Sequence, residues 1–141
     1  MNTENDNNPF LLSQRIIQIC LFLFAFIALL GGAVQFNLGE PEVNARLDNI
    51  HRFMAGVYFG CGTICAWAGW TVRKQRTLIL LIAFTVFTAG MGRVFSMSKV
   101  GIPEPHSLWL GYLIPELTLP VVVVIAYWYT LNKLKAGGTQ M

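Results

Sequence analysis

Four apolar runs, each long enough to cross a lipid bilayer, leave this chain few ways to fold. They extend from Ile16 to Val34, from Phe53 to Val72, from Thr77 to about Ser98 and from Ser107 to Leu131. A hydrocarbon core of ~30 Å takes about 20 helical residues at ~1.5 Å each, and every run can supply them. Strands do not fit. The runs lack period-two alternation, and four short strands cannot close a barrel in lipid, where every backbone N–H and C=O must be satisfied internally. With 55% hydrophobic and 12% charged residues and a mean hydropathy of +0.54, the composition also lies far from that of a soluble domain. The expected fold class is all-α integral membrane, an antiparallel four-transmembrane-helix bundle with short loops. The expected organisation is a disordered N-terminal segment over 1–14, a membrane domain over 15–132 and a tail over 133–141.

Basic residues orient such a bundle. Four crossings place Arg15, the Arg73, Lys74 and Arg76 cluster, and Lys133 with Lys135 on one side, against Arg46, Arg52, Arg93 and Lys99 near the other. The positive-inside rule then puts both termini in the cytoplasm and turns the loops from Gln35 to Ile50 and from Lys99 to His106 outward. Arg15 followed by an apolar run and small residues also resembles a secretory signal, but the run is longer than a signal core and reads as a signal anchor. The net charge of +3 follows from the cytoplasmic basic cluster and does not point to nucleic acid. Cys20, Cys61 and Cys65 all fall in the spans, where small thiols pack as hydrophobes.

Within the spans, ionisable side chains are the informative exceptions. Arg52, Arg93 and Glu116 lie inside or at the mouths of apolar runs, and the topology brings all three near the outer face. A charge at membrane depth costs a few kcal/mol even on lenient scales, so such residues mark a functional site when a partner can be named. Counted from the outer helix ends at ~1.5 Å per residue, Arg93 lies about 8 Å deep and Glu116 about 12 Å deep, with Arg52 at the mouth. Two arrangements follow. In one, Glu116 pairs with one Arg while Asp48, four residues before Arg52, pairs with the other as an internal fastening. In the other, two arginines against one carboxylate leave excess positive charge for an outer-leaflet phosphate, which a guanidinium grips bidentately.

Helical spacing supplies the surroundings. Arg52, Gly56, Phe59, Gly60, Thr63 and Trp67 share a stripe in which Gly56 and Gly60 form a small-xxx-small pair, so that face is expected against another helix. Ala89 and Ser96 flank Arg93 on its own face. In the fourth helix Tyr112, Glu116, Pro120, Val123 and Tyr127 align, and Pro115 and Pro120 remove backbone donors beside Glu116.

Asn49, Arg52, Gly56, Tyr58 and Gly60, then Gly92, Arg93 and Ser96, then Gly101 and Pro103, and finally Glu116 with Pro120 resemble, in order and spacing, the bacterial membrane family called domain of unknown function 4345. The resemblance covers nearly the whole chain. It implies a small four-helix inner-membrane protein, highlights Arg52, Arg93 and Glu116, and supplies no reaction.

A metal is a weaker expectation. His51, His106, Glu104, Asp48 and Glu42 all fall near the outer face, where imidazoles and carboxylates can bind zinc. No HxxxH or similar local pair exists, and the two histidines can equally tune a proton-sensitive loop. No cofactor is expected. GxSxG, phosphate-binding glycine loops and haem signatures are absent, and Ser96 near Arg93 lacks a base, so no enzyme is expected. Trp67, Trp70, Trp109, Tyr112, Trp128 and Tyr129 read as interfacial aromatic belts. The sequence thus points to a multi-pass protein of the bacterial inner membrane. Its outward pocket, formed by Arg52, Arg93, Glu116, Asn49, Ser96 and Tyr112, binds an anionic lipid headgroup in support of cell-envelope organisation. The alternatives are a proton- or ion-coupled transporter using Glu116 and a structural subunit. Its expected partners are membrane lipids and a second copy of the chain.

Overall fold

The computed structural model describes residues 11–38 and 44–137. It is all-helical, with four helices: α1 (Leu12–Leu38), α2 (Ala45–Trp70), α3 (Arg76–Val100) and α4 (His106–Gly137). The segments expected to be disordered at Met1 to Asn8, the loop residues Gly39, Glu40, Pro41 and Glu42, and the tail over 138–141 lie outside the described residues.

Each helix begins before its apolar segment, and all but α2, which stops at Trp70, also run past its end. Residues Leu12 to Gln14, expected to be disordered, are helical instead, because the Gln14 side chain accepts from the Leu11 N–H at 3.1 Å. At α2 the helix begins well before the apolar run, where the Asn44 side chain caps it by accepting from the Leu47 N–H at 2.8 Å. A polar first turn with a good N-cap needs no apolar run to be helical. Residues 35–38 and 45–50 of the loop expected from Gln35 to Ile50 are helical instead. At the far end of α3, Gly101 takes φ +86° and returns its N–H to the Met97 carbonyl at 3.0 Å, a left-handed stop that favours glycine.

Three of the helices, α1, α3 and α4, are long and apolar enough to cross a membrane. By the same measure α2 is not, since Gly56, Gly60, Gly62 and Gly69 dilute its apolar run.

The chain divides into two compact units, residues 18–75 and residues 1–17 with 76–141. In the first, the Gln18 side chain donates to the Gly69 carbonyl at 3.0 Å. A Cβ at Gly69 would sit 3.2 Å from Phe22, one at Gly62 would lie 2.7 Å from Leu29, and one at Gly32 would meet the Ala55 carbonyl at 3.1 Å. The packing face of α2 is therefore Ala55, Gly62 and Gly69, with Cys65 also buried. This corrects the stripe expected from the sequence. Gly56 and Gly60 are exposed, and a Cβ on either would meet nothing within 4 Å. Small residues spaced by seven keep one seam against a neighbouring helix, and that spacing decides the face here.

In the second unit α3 packs on α4. Ile79, Ile82, Ala83 and Gly90 form the buried side of α3, while Pro120, Val123, Ala126 and Thr130 are buried on α4. A Cβ at Gly90 would fall 2.9 Å from Leu117 and 3.1 Å from the Glu116 Cβ. Ser13 is drawn into this unit by a hydrogen bond of 2.6 Å from the Thr130 hydroxyl. The helix α4 continues through both Pro115 and Pro120.

Candidate anion site on the second helix pair

Arg93 sits on α3 one turn beyond Gly90, and this spacing is the source of the site. Glycine at 90 lets α4 come close at Glu116 and Leu117, and the next residue on that face then meets the Glu116 carboxylate. The Arg93 Nε donates to Glu116 Oε2 at 2.8 Å, with the two side chains 25% and 18% exposed. The guanidinium also lies over two rings, 5.6 Å from the centroid of Trp109 and 5.8 Å from that of Tyr112. Trp109, Tyr112 and Glu116 fall at i, i+3 and i+7 on α4, one above another on a single face.

An arginine side chain carries five N–H donors, and Nε supplies only one of them. Among the described residues no acceptor meets the Nη groups of Arg93, none donates to Glu116 Oε1, and the Tyr112 hydroxyl is unpartnered. None of these atoms is fully buried. The pair thus presents a forked donor edge and a carboxylate oxygen side by side, on a guanidinium fixed by a salt bridge and two aromatic faces.

Arg52 has a different setting. Its Nε donates to Asp48 Oδ2 at 2.9 Å and Nη1 donates to the Phe36 carbonyl at 2.7 Å. The first bond is the i,i+4 pairing expected from the sequence; the second ties α2 to one of the last carbonyls of α1, which has no intrahelical donor. Both contacts belong to the first unit, whereas Arg93 and Glu116 belong to the second.

The other candidates divide as follows. Tyr112 is at the site. Asn49 and Ser96 are exposed, as is Ala89, because Arg93 shares its inward face with Gly90. Trp109, expected in an interfacial belt, lies against the arginine, and its spacing from Tyr112 and Glu116 is the signal for that position. For the metal candidates, no three His, Cys, Asp or Glu side chains gather among the described residues. His51, His106, Glu104 and Asp48 therefore form no ligand set, and Glu42 lies outside the described residues. Asp48 is engaged by Arg52, and the Glu104 carbonyl accepts weakly from the Trp109 indole at 3.4 Å. Cys20, Cys61 and Cys65 are free thiols.

No curated protein and no solved structure matches the chain. A family model does match, the domain of unknown function DUF4345, over residues 13–127. That span takes in α2 and α3 whole, most of α1 and α4, and every residue of the Arg93 site, and the chain belongs to the DUF4345 family.

Proposed function

We propose that this is a multi-pass protein of a bacterial inner membrane whose Arg93–Glu116 site binds the anionic phosphate of a lipid head group in support of cell-envelope organisation. In this reading four antiparallel helices cross the bilayer with both termini in the cytoplasm, and the site opens toward the outer leaflet. Several features suit lipid surroundings. Only 33%, 22% and 11% of the apolar windows of α1, α3 and α4 are buried, so their large side chains, such as Phe26, Phe84 and Ile125, face outward. Several exposed threonine hydroxyls are satisfied within their own helices. Thr63, Thr85 and Thr118 each donate to the carbonyl four residues back, the arrangement a solvent without hydrogen bonds requires. The helix α2 follows α1, because its contacts run from Gln18 against Gly69 to Phe36 against Arg52. That stretch of α1 is about 27 Å long at 1.5 Å per residue.

One observation carries the site: the unpartnered Nη edge of Arg93, held in place by Glu116, Trp109 and Tyr112. A planar fork of donors that is fixed but unfilled matches the oxygens of a phosphate. Arg52, with two donor atoms engaged by the chain itself, acts as a fastening. The site binds rather than reacts, for it presents no nucleophile with an adjacent base. The test is retention of lipid by the gently solubilised protein in native mass spectra. Wild type should carry a stoichiometric phospholipid and Arg93→Gln should lose it; a folded Arg93→Gln protein with the same lipid complement overturns the proposal.

A further inference from the structure

The site is charge-balanced, and this bears on which head group it takes. Had two arginines faced one carboxylate, the excess charge would select a net anionic lipid. Instead Asp48 is paired with Arg52, and Arg93 has Glu116 to itself. A net anionic head group such as phosphoglycerol would place its phosphate on the Nη edge and offer the adjacent Glu116 Oε1, an unfilled acceptor, only a neutral hydroxyl with no positive charge. A zwitterionic phosphoester with a primary ammonium a short linker away fills both.

We infer, building on the phosphate reading above, that the Arg93–Glu116 pair recognises a phosphoethanolamine group, the Arg93 Nη atoms taking the phosphate and Glu116 Oε1 accepting from the ammonium. The aromatic residues narrow the choice further. A quaternary ammonium is held by open aromatic faces, but at this site one face each of Trp109 and Tyr112 is already taken by the Arg93 guanidinium. A trimethylated nitrogen also has no N–H to give Glu116. Choline head groups are therefore disfavoured relative to ethanolamine.

Competition on the full-length solubilised protein tests this. Equimolar phosphatidylethanolamine, phosphatidylglycerol and phosphatidylcholine with identical acyl chains are offered together, and bound masses are counted by native mass spectrometry. One charge-assisted hydrogen bond corresponds to a preference of about tenfold for phosphatidylethanolamine over each competitor. Glu116→Gln, which keeps the shape and removes the charge, should abolish that preference and bring phosphatidylglycerol at least level. Equal retention of all three lipids by wild type, with all three lost in Arg93→Gln, overturns the ammonium contact while leaving the phosphate site standing. Retention that Arg93→Gln does not change removes both. If Glu116→Gln fails to fold, the wild-type ranking decides alone. Excess O-phosphoethanolamine in solution separates the sources: displacement of bound lipid assigns the site to a free solute, and no displacement assigns it to the membrane lipid; either result upholds the recognition chemistry only if the wild-type ranking is the one expected.

Discussion

The two helix pairs achieve close approach by different means. On α2, Ala55, Gly62 and Gly69 are spaced by seven and admit α1 along a seam without charge. On α3 a single glycine, Gly90, admits α4, and one turn later the contact becomes an ion pair. Arg52 in the first unit is held by a residue of its own helix and by a neighbouring carbonyl, so its charge stays local. Arg93 bridges two helices through one donor and leaves its forked edge open. The first pair is scaffold by composition, and the second carries a charge that does more than its scaffold requires.

The largest expected effect comes from removing the carboxylate that holds Arg93. Glu116→Ala leaves a part-buried guanidinium without its counter-charge and should cost about 2–3 kcal/mol, less than the ~3–5 kcal/mol of a fully buried pair because a quarter of the Arg93 side chain is exposed. Reversible unfolding in mixed micelles measures it. A loss below about 1 kcal/mol would put the pair in the class of surface salt bridges and erase the contrast between the two arginines.

The glycines come next, and here two substitutions of the same kind should differ in sign. A Cβ at Gly62 would stand 2.7 Å from Leu29 Cγ and 3.2 Å from its backbone nitrogen, so Gly62→Ala should destabilise by about 1–2 kcal/mol through overpacking. Gly56→Ala meets nothing and should stabilise by about 0.5 kcal/mol, because alanine is the better helix former. Equal effects at the two positions would return the packing face of α2 to the stripe through Gly56 and Gly60.

That stripe shows where the sequence was legible and where it was not. Three of the four helices are long and apolar enough to cross a membrane, and all four follow the apolar runs. Their ends do not. Asn44 starts α2 by a cap, and Gln14 and Ser13 secure the start of α1 through side-chain bonds, none of which enters a hydropathy run. On α2, a pair spaced by four competed with a triplet spaced by seven, and only the partner on α1 decides between them. The pairings of Asp48 with Arg52 and of Glu116 with an arginine could both be read from the sequence. Trp109 was not assigned to the site, because a tryptophan near a helix end already had a sufficient explanation as an interfacial anchor.

Within the second unit a neutral contact offers a scale for the charged one. The hydroxyl of Thr130 lies 2.6 Å from that of Ser13, and both residues are buried. Thr130→Val keeps the volume, removes the bond and leaves the serine hydroxyl unsatisfied, so it should cost about 1 kcal/mol in the same unfolding measurement. A cost equal to that of Glu116→Ala would mean that the ion pair contributes nothing beyond an ordinary hydrogen bond, leaving Arg93 distinguished only by its open edge.

The smallest expected effect is the most discriminating. Asp48 and Arg52 form an i,i+4 pair with side chains 21% and 40% exposed, and such pairs contribute about 0.3–0.5 kcal/mol. After Asp48→Ala, Arg52 retains its bond to the Phe36 carbonyl, so its charge is still held by an acceptor at the end of α1. Stability should fall by about 0.5 kcal/mol or less, and the lipid complement should stay as in wild type. A large loss of stability would make the first unit as dependent on its ion pair as the second. A gain of anionic lipid on Asp48→Ala would instead show that Arg52, once released, is competent to bind phosphate, and that its silence in the wild-type chain is imposed by the one carboxylate a helical turn away.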